Sequence, residues 1–350
     1  MTNKAYIYAA LRSPRGRASG NADLYEVKPI DLLSQCLLAF QRRSGREDLP
    51  ASIDDLIIGC NTPAGDQGYN IARAALLKAG WIQARGGLQV NRFNVSGLEA
   101  INLAAARINA GYGQVMIAGG IECMSRVPTY LNGGPMMNDP ATVINSHYIP
   151  QGVAADLVAS FHDISREELD AYALTSHAKA NDACDAGYFA PSLETITDAN
   201  GLVILDRDSV NRRDLTPEAL AKLAPRFAEM GLAGFNEMAL HRFPLVDHVD
   251  HLHTLGNTSK AADGCALALL GNAAAGKELG LKARACIRAV SMSAVDATLR
   301  TGGRNAANLA LGQAGLTAKD IDLWEFNESF AAPAIRFQRN LEIPDDRYNV

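Results

Sequence analysis

Residues 91–100 follow a short apolar strand and open an Ala-rich helix, so a reactive side chain here would lie at a helix start. A side chain at a helix start lies at the positive end of the helix dipole, which favours a thiolate over a thiol. Asn94 stands there, and its carboxamide is not a nucleophile. Asparagine is a preferred helix cap and tolerates left-handed backbone. We therefore expect Asn94 to be a structural cap, with Ser96 and Glu99 offering a competing capping box.

Two further polar positions lie where chemistry is commonly found. Asn327 directly follows the strand-like residues 321–326, and active-site groups of α/β folds gather at the carboxyl ends of strands. Ser259 closes the polar segment 253–259. Because Asn and Ser are also ordinary turn residues, each position keeps a purely structural alternative as part of a turn.

The cysteines and histidines do not form a metal-binding pattern. The six cysteines are scattered without a C-x-x-C pair, so we expect neither a disulfide framework nor a zinc site, and we expect a cytoplasmic location. His251 and His253 would share a face on a strand. With no Cys or carboxylate recognised as their partner, we expect no metal site there.

The composition is that of a well-packed enzyme and excludes some partners. A length of 350 residues allows two domains, or one large α/β unit with an insertion. The formal net charge of −5, with mixed signs, argues against nucleic-acid binding. We find no apolar run long enough to span a bilayer. Residues 1–9 alternate like a strand and lack the apolar core of a signal peptide.

Alternating strand and helix signals over the first 125 residues predict an α/β fold with a mostly parallel sheet covered by helices. Residues 31–42 have helical spacing, whereas residues 54–59 and 115–118 are typical of buried strands. Residues 98–108 are small or apolar on nearly every side, which predicts a helix buried all round.

From about residue 128 to residue 250 the character changes to that of an insertion. Ser165 and Glu168 predict a capping box at one helix start, and Thr216 with Pro217 predicts another. The βα pattern then resumes from about residue 285, with a strand at 286–291, a helix from about residue 305 and a strand at 321–326.

Five internal segments of the chain resemble motifs of the thiolases, and the resemblance extends over essentially the whole chain. The pairs are residues 91–98 with N-R-F-C-x-S-G-L, 119–125 with G-G-x-E-S-M-S, 151–156 with M-G-x-T-A-E, 253–259 with H-T-x-G-N-S-S, and 327–331 with N-E-A-F-A.

The resemblance implies a layered α/β fold of two related βαβ halves with an inserted loop domain, the second half being incomplete. The implied parts are an N-terminal half at 1–125, a loop domain at 126–250, a return to the N-terminal half at 251–272, and a truncated C-terminal half at 273–350.

The resemblance also assigns roles to single residues. Asn94 takes the position of the acylated Cys, where it is a cap or hydrogen-bonds an acyl-CoA carbonyl. Asn327 helps to hold the water of an oxyanion hole, and Ser259 contacts the pantetheine arm of coenzyme A. Cys123 stands where the family has Ser. The favoured interpretation is a small buried residue in a Ser-sized space. The alternative is a relocated nucleophile.

Residues 347–350 resemble the beginning of the family's N-V-N-G-G segment. The G-H-P histidine and the C-x-G cysteine that follow in the family are not in this sequence. Claisen chemistry needs a group to take the proton alpha to a thioester and donors to hold the resulting oxyanion. We therefore expect this chain to lack normal turnover, to expose apolar faces and to be marginal in stability.

Two functions follow from the resemblance. The first is an acyl-CoA C-acyltransferase, which cleaves or condenses 3-ketoacyl-CoA, with coenzyme A and acyl-CoA as substrates and no further cofactor. The second is a non-catalytic coenzyme A-binding pseudoenzyme or assembly subunit. A decarboxylating ketosynthase-like role is a third and weaker interpretation. The resemblance implies a homodimer or homotetramer, without nucleic-acid or membrane partners.

Overall fold

The computed structural model describes residues 4–296, 298–299 and 301–350. The chain divides into two compact units, which are described separately. The first unit consists of Met1–Asn132, Phe189–Val210 and Ala261–Arg288, and the second of Gly133–Tyr188, Asn211–Lys260 and Ala289–Val350. Within the described residues, no helix combines the length and apolar character needed to cross a membrane.

The strands of the described residues all belong to the first unit. Numbered in chain order, they are β1 (Tyr6–Arg12), β2 (Gly16–Arg17), β3 (Asp55–Gly59), β4 (Leu88–Val90), β5 (Val115–Cys123), β6 (Ile196–Thr197), β7 (Val203–Leu205), β8 (Ala262–Gly271) and β9 (Ala285–Cys286).

The α-helices belong to both units. In the first unit they are α1 (Pro29–Ser44), α2 (Leu49–Ser52), α3 (Ile71–Lys78), α4 (Ser96–Asn109) and α12 (Ala273–Glu278). In the second they are α5 (Pro135–Asn138), α6 (Pro140–Asn145), α7 (Gln151–Phe161), α8 (Arg166–Asp185), α9 (Pro217–Ala221), α10 (Ala228–Met230), α11 (Asn236–Arg242), α13 (Gly303–Ala314) and α14 (Ala331–Asn340).

The main sheet of the first unit is mixed. Its order is β4-β3-β5-β8-β1-β9, with β2 paired to β8. The β3–β4 and β3–β5 pairs are parallel, as the sequence predicts, whereas β8 runs antiparallel to both β5 and β1. The expectation of a mostly parallel sheet therefore holds for one side of the sheet only, because the late strand β8 is inserted between β5 and β1.

Helices cover both faces of this sheet. Residues of α1 and α3 join one apolar cluster with the sheet, while Ala100, Ala104 and Ile108 of α4 pack into another. Local sequence accounts for the ends of α1: Pro29 occupies the first turn, where no donor is needed, and Gly45 ends the helix in the left-handed conformation. The helix and strands predicted at 31–42, 54–59 and 115–118 are confirmed.

The second unit is mainly helical. Val158, Ala159 and Leu169 from α7 and α8 pack against Ala332 and Ile335 of α14 in one apolar cluster. The helices predicted near residues 216 and 305 are confirmed as α9 and α13, and the Thr216 side chain accepts a hydrogen bond from the Ala219 amide.

Several predicted features are wrong in detail. Residues 321–326 form no strand: their backbone pairs only at Trp324, in an isolated bridge with Tyr348. The strand predicted at 286–291 is limited to Ala285–Cys286, which pair with β1. An extended segment without a continuous hydrogen-bonding neighbour does not become a strand.

The predicted division into parts at 1–125, 126–250, 251–272 and 273–350 stays a prediction. The return of the chain at β8 to the first sheet agrees with its third part. Residues 189–210, which lie within the predicted loop domain, belong to the first compact unit.

Candidate active site

Asn94 lies in an exposed loop immediately before α4. The loop is fixed by Ser96, whose hydroxyl accepts a hydrogen bond from the Arg92 amide at 2.8 Å and donates to the Phe93 carbonyl at 2.6 Å. Phe93 has a φ of 49°, a left-handed conformation that is strained for a bulky side chain. The residue after it, Asn94, is thereby presented to solvent.

The prediction that Asn94 caps this helix is wrong. The helix begins at Ser96, Val95 occupies the cap position, and no side chain caps the helix there. Ser96 and Glu99 form no capping box either, because the Ser96 hydroxyl is used by the loop and the Glu99 carboxylate pairs with Arg92 at 3.2 Å. The amide of Asn94 is therefore not needed to begin the helix.

Two glycines bring the start of α4 against the ends of the parallel strands. A Cβ on Gly59, the last residue of β3, would overlap the backbone of Ser96, and one on Gly120 of β5 would lie 3.2 Å from the Cα of Gly97. The loop that carries Asn94 consequently stands at the carboxyl ends of β3 and β5, where α/β folds gather their reacting groups.

A partly buried polar cluster, which the sequence alone did not indicate, lies at the same strand ends. The Glu122 carboxylate accepts hydrogen bonds from Gln67 Nε2 at 2.9 Å and from the Asn61 amide at 2.8 Å. Burial, followed by the charge of Glu122, raises the pKa of Cys60 to about 12. Because Cys60 stays a neutral thiol at physiological pH, it is not a nucleophile.

Cys123 is buried at the end of β5. Burial raises its pKa well above the ordinary value, and the charges of Asp263 and Glu122 raise it further. The prediction of a small buried residue in a Ser-sized slot is confirmed, and a thiol in this environment is not a nucleophile.

Ser259 and Asn327, in the second unit, are brought together by Ser329. The Ser259 amide donates to the Ser329 carbonyl at 3.0 Å, and Asn327 Nδ2 donates to Ser329 Oγ at 2.8 Å. Thr258 and Phe330 add a backbone bridge between the same two segments. The side chains of Ser259 and Asn327 are both exposed, so both are accessible to a ligand. Asn94 belongs to the first unit.

The buried carboxylate of Asp156 fixes the backbone that leads to Ser259 by hydrogen bonds. Asp156 of α7 has no exposed side-chain surface, and its two oxygens lie 2.8 Å from His251 Nδ1 and 2.7 Å from His253 Nδ1. The amides of Leu252 and His253 also donate to it. His253 Nε2 then accepts from the Ala332 amide at the start of α14. Both imidazoles consequently carry their protons on Nδ1.

The two histidines therefore have a carboxylate partner, which the sequence analysis missed because Asp156 lies in a distant segment. Burial would raise the pKa of Asp156, but the hydrogen bonds from His251 and His253 outweigh it and hold that pKa below its usual range. Among the described residues, no group of three or more His, Cys, Asp and Glu is arranged to hold a metal ion.

The mixed sheet covered by helices and the mainly helical second unit define an α/β protein, and similarity to known proteins identifies its family. The family model of the thiolase N-terminal domain matches residues 5–234, and that of the thiolase C-terminal domain matches residues 281–350. The chain belongs to the thiolase family.

Individual relatives agree with this assignment. The 3-ketoacyl-CoA thiolase of Colwellia psychrerythraea is 34% identical over 349 residues, which cover 98% of this chain and 84% of the relative. The beta-ketoadipyl-CoA thiolase of Pseudomonas knackmussii is 34% identical over 368 residues, which cover 99% and 85%.

Solved structures show the same fold. The acetyl-CoA acetyltransferase of Bacillus anthracis superposes with a TM-score of 0.82 at 31% identity, over 99% of this chain and 86% of the other. Human mitochondrial 3-ketoacyl-CoA thiolase in complex with CoA also has a TM-score of 0.82, at 27% identity, over 100% and 85%.

Proposed function

We propose that this chain is a thiolase-family protein of the acyl-CoA acyltransferase class which binds coenzyme A but does not complete the family's turnover. The observation that carries the proposal is Asn94, which is exposed just before α4. The thiolase motif that residues 91–98 resemble has its acylated Cys at this position. An amide nitrogen shares its lone pair with the carbonyl and does not attack a thioester, so the acyl group has no acceptor.

The proposed ligand is coenzyme A or an acyl-CoA, with no further cofactor. Ser259 and Asn327 are the proposed contacts, for the pantetheine arm and for the water of an oxyanion hole respectively. Their exposure and their common attachment to Ser329 support these roles. Family membership, and the relatives named for 3-ketoacyl-CoA or crystallised with CoA, support the ligand class.

The test of catalysis compares the chain with its Asn94→Cys variant. We expect the unsubstituted chain to cleave acetoacetyl-CoA no faster than buffer and to remain unmodified by acetyl-CoA in intact-mass spectrometry. Asn94→Cys restores a thiol at the helix start, and we expect it to gain a covalent acetyl group. Asn94→Ser is the matched control, because a hydroxyl has no accessible anionic form there. Turnover by the unsubstituted chain would refute the proposal.

Coenzyme A binding is tested separately by thermal unfolding. A ligand that binds only the folded state raises the midpoint, by about 2.7 kcal/mol of stabilisation when its concentration is a hundred times Kd. We expect millimolar coenzyme A to raise the midpoint, and Ser259→Tyr, at an exposed position, to reduce the shift. An unchanged midpoint would exclude the coenzyme A-binding function.

The remaining proposals concern the oligomeric state and the location of the protein. Self-association as a homodimer or homotetramer is the proposed state, supported by family membership alone, and sedimentation velocity tests it. The cytoplasm is the proposed location, supported by six cysteines without a paired motif.

A further inference from the structure

The side chain of Asn349 holds the residues on both sides of Asn327. Its Oδ1 accepts a hydrogen bond from the Phe326 amide at 2.7 Å, and its Nδ2 donates to the Phe326 carbonyl at 3.1 Å. The same Nδ2 donates to the Glu328 carboxylate at 2.9 Å. Asn349 therefore fixes the residue before Asn327 through its backbone and the residue after it through its side chain.

The Glu328 carboxylate has two further donors, both on α8. The Tyr172 hydroxyl donates to Oε1 and the Ser176 hydroxyl donates to Oε2, each at 2.7 Å. Burial raises the pKa of Tyr172, and the charge of Glu328 raises it further, so this hydroxyl keeps the proton that it donates. Neutral donors thus hold both carboxylate oxygens. We refer to Asn349, Glu328, Tyr172 and Ser176 as the clamp.

Position 349 suits asparagine for two physical reasons. Its backbone has a φ of 45°, a left-handed conformation that Asn adopts more readily than most residues. Its side chain also accepts from an amide while it donates to a carboxylate. A carboxamide does both at once, whereas an ionised carboxylate cannot donate.

The Asn327 side chain is exposed beside the clamp, with one of its polar atoms available. Asn327 Nδ2 donates to Ser329 Oγ at 2.8 Å, and within the described part of the chain no hydrogen bond reaches its Oδ1. A water that donates one hydrogen to this Oδ1 has a second hydrogen to donate to the carbonyl oxygen of a thioester.

We infer that Asn349, acting through Phe326 and Glu328, positions Asn327 and thereby sets the preference of this site for a thioester over a ligand without the carbonyl oxygen. The inference rests on the proposed coenzyme A function. Hydrogen bonds weaken steeply when their geometry departs from linear, so a displaced Asn327 loses the water-mediated contact. Asn349 is a positioning residue, because it acts through the two neighbours of Asn327.

The test compares acetyl-CoA with S-ethyl-coenzyme A, the thioether in which a methylene replaces the thioester carbonyl. Calorimetric titration of the full chain gives the Kd of each ligand. We expect the unsubstituted chain to bind acetyl-CoA about fivefold more tightly, the effect of one water-mediated hydrogen bond. Asn327→Ala should remove this preference.

Asn349→Asp should also remove the preference, because it places a second carboxylate against that of Glu328. The Kd of the thioether should stay within about twofold, since this ligand does not use the water. Asn305→Asp makes the same chemical change at an exposed position of α13. It is the matched control and should keep the preference.

The exchanged pair, Asn349→Asp with Glu328→Gln, should recover most of the preference. The carboxylate and the amide have changed places in this variant, and the hydroxyls of Tyr172 and Ser176 can reverse their direction. Glu328→Gln alone should have a smaller effect than Asn349→Asp, because its amide oxygen can still accept from Asn349. A merely structural role of Asn349 would not change the ratio of the two Kd values.

Hydrogen exchange of residues 322–331, followed by mass spectrometry, tests the clamp without ligand. Asn349→Asp should accelerate exchange in this segment, and the exchanged pair should slow it again. If Asn349→Asp does not fold, Tyr172→Phe serves in its place, because it removes one donor to Glu328 and should lower the preference about twofold.

The outcomes separate this inference from the proposed function. Equal Kd values for the two ligands in the unsubstituted chain, or a preference that persists in Asn349→Asp, would overturn the inference and leave coenzyme A binding intact. An exchanged pair that behaves like Asn349→Asp would also overturn it. If the unsubstituted chain binds neither ligand, the coenzyme A proposal fails, and the inferred preference fails with it.

Discussion

Asn94 lies in a turn whose conformation is fixed by other residues. The turn at this site is held by the Ser96 hydroxyl and by the left-handed Phe93, and not by the side chain of residue 94. The loop consequently accepts several residue types at position 94, and the chemistry there depends on that one side chain. This independence is itself testable.

We predict that Asn94→Cys changes the free energy of unfolding by less than about 0.5 kcal/mol, the usual range for an exposed position without a structural role. Ser96→Ala is the contrasting variant, because it removes a buried hydroxyl with two hydrogen-bond partners and should cost about 1–2 kcal/mol. Urea unfolding measures both variants. A large loss in Asn94→Cys, matching that of Ser96→Ala, would mean that the native amide holds the turn.

Asp156 is a fully buried carboxylate that binds two imidazoles and two backbone amides of the second unit. Its folded pKa is lowered, whereas an unfolded Asp titrates near 3.9. The carboxylate therefore contributes stability above about pH 4, and this contribution is lost as the pH falls through the lower folded value.

We predict that Asp156→Asn destabilises the chain by about 3 kcal/mol at pH 7, because the Nδ1–H donors of the buried His253 and the partly buried His251 lose their anionic acceptor. The difference in unfolding free energy between the unsubstituted chain and this variant should stay constant from about pH 5 to 7 and shrink below about pH 4. Asp250→Asn is the control, since Asp250 is exposed. A difference that grows on acidification would contradict the assigned direction of the pKa.

At the scale of elements, the approach of α4 to the sheet depends on glycines in the strands. A Cβ at Gly59 would meet the Ser96 backbone, which no rotamer change can relieve, whereas one at Gly97 would make only ordinary contacts, the nearest at 3.6 Å. The two residues lie on opposite sides of the same contact.

We predict that Gly59→Ala costs about 2 kcal/mol or more, by forcing α4 away from β3, and that Gly97→Ala is neutral or stabilising by up to about 1 kcal/mol, because Ala is the better helix residue. Thermal unfolding of the two variants distinguishes them. Equal effects would show that the helix start is free to shift.

Elements with local signals could be predicted from the sequence, and those that depend on distant partners could not. The cap of α8 illustrates both cases. The Ser165 hydroxyl accepts from the Glu168 amide as predicted, but the Glu168 carboxylate pairs with Arg339 instead of completing the capping box. Residues 321–326 have strand-like composition without a continuous partner. Asp156 meets its histidines across some ninety residues, a contact that no local pattern shows.

At the scale of the molecule, the expected exposure of apolar surface is visible at the start of α4. The helix is buried on its sheet side through Ala100, Ala104 and Ile108, but the prediction that it is buried all round is wrong. Phe93 is 71% exposed and Leu98 is 59% exposed, with Val95 between them. Contiguous apolar side chains in contact with water favour association, unlike single exposed leucines, which are common on protein surfaces.

We predict that Leu98→Gln lowers the tendency of this chain to aggregate. The substitution removes one of the three exposed apolar side chains and leaves the buried face of α4 unchanged, so the free energy of unfolding should change by less than about 0.5 kcal/mol. Static light scattering during heating measures the effect. Binding of a hydrophobic dye at about 20 °C, near the usual temperature of maximum protein stability, measures it in the folded state. Leu77→Gln on α3, an exposed leucine of the same unit, is the matched control and should change neither signal appreciably. If both variants aggregate less, and to the same degree, general surface hydrophobicity causes the aggregation. If Leu98→Gln aggregates as much as the unsubstituted chain, another surface or the unfolded chain is responsible.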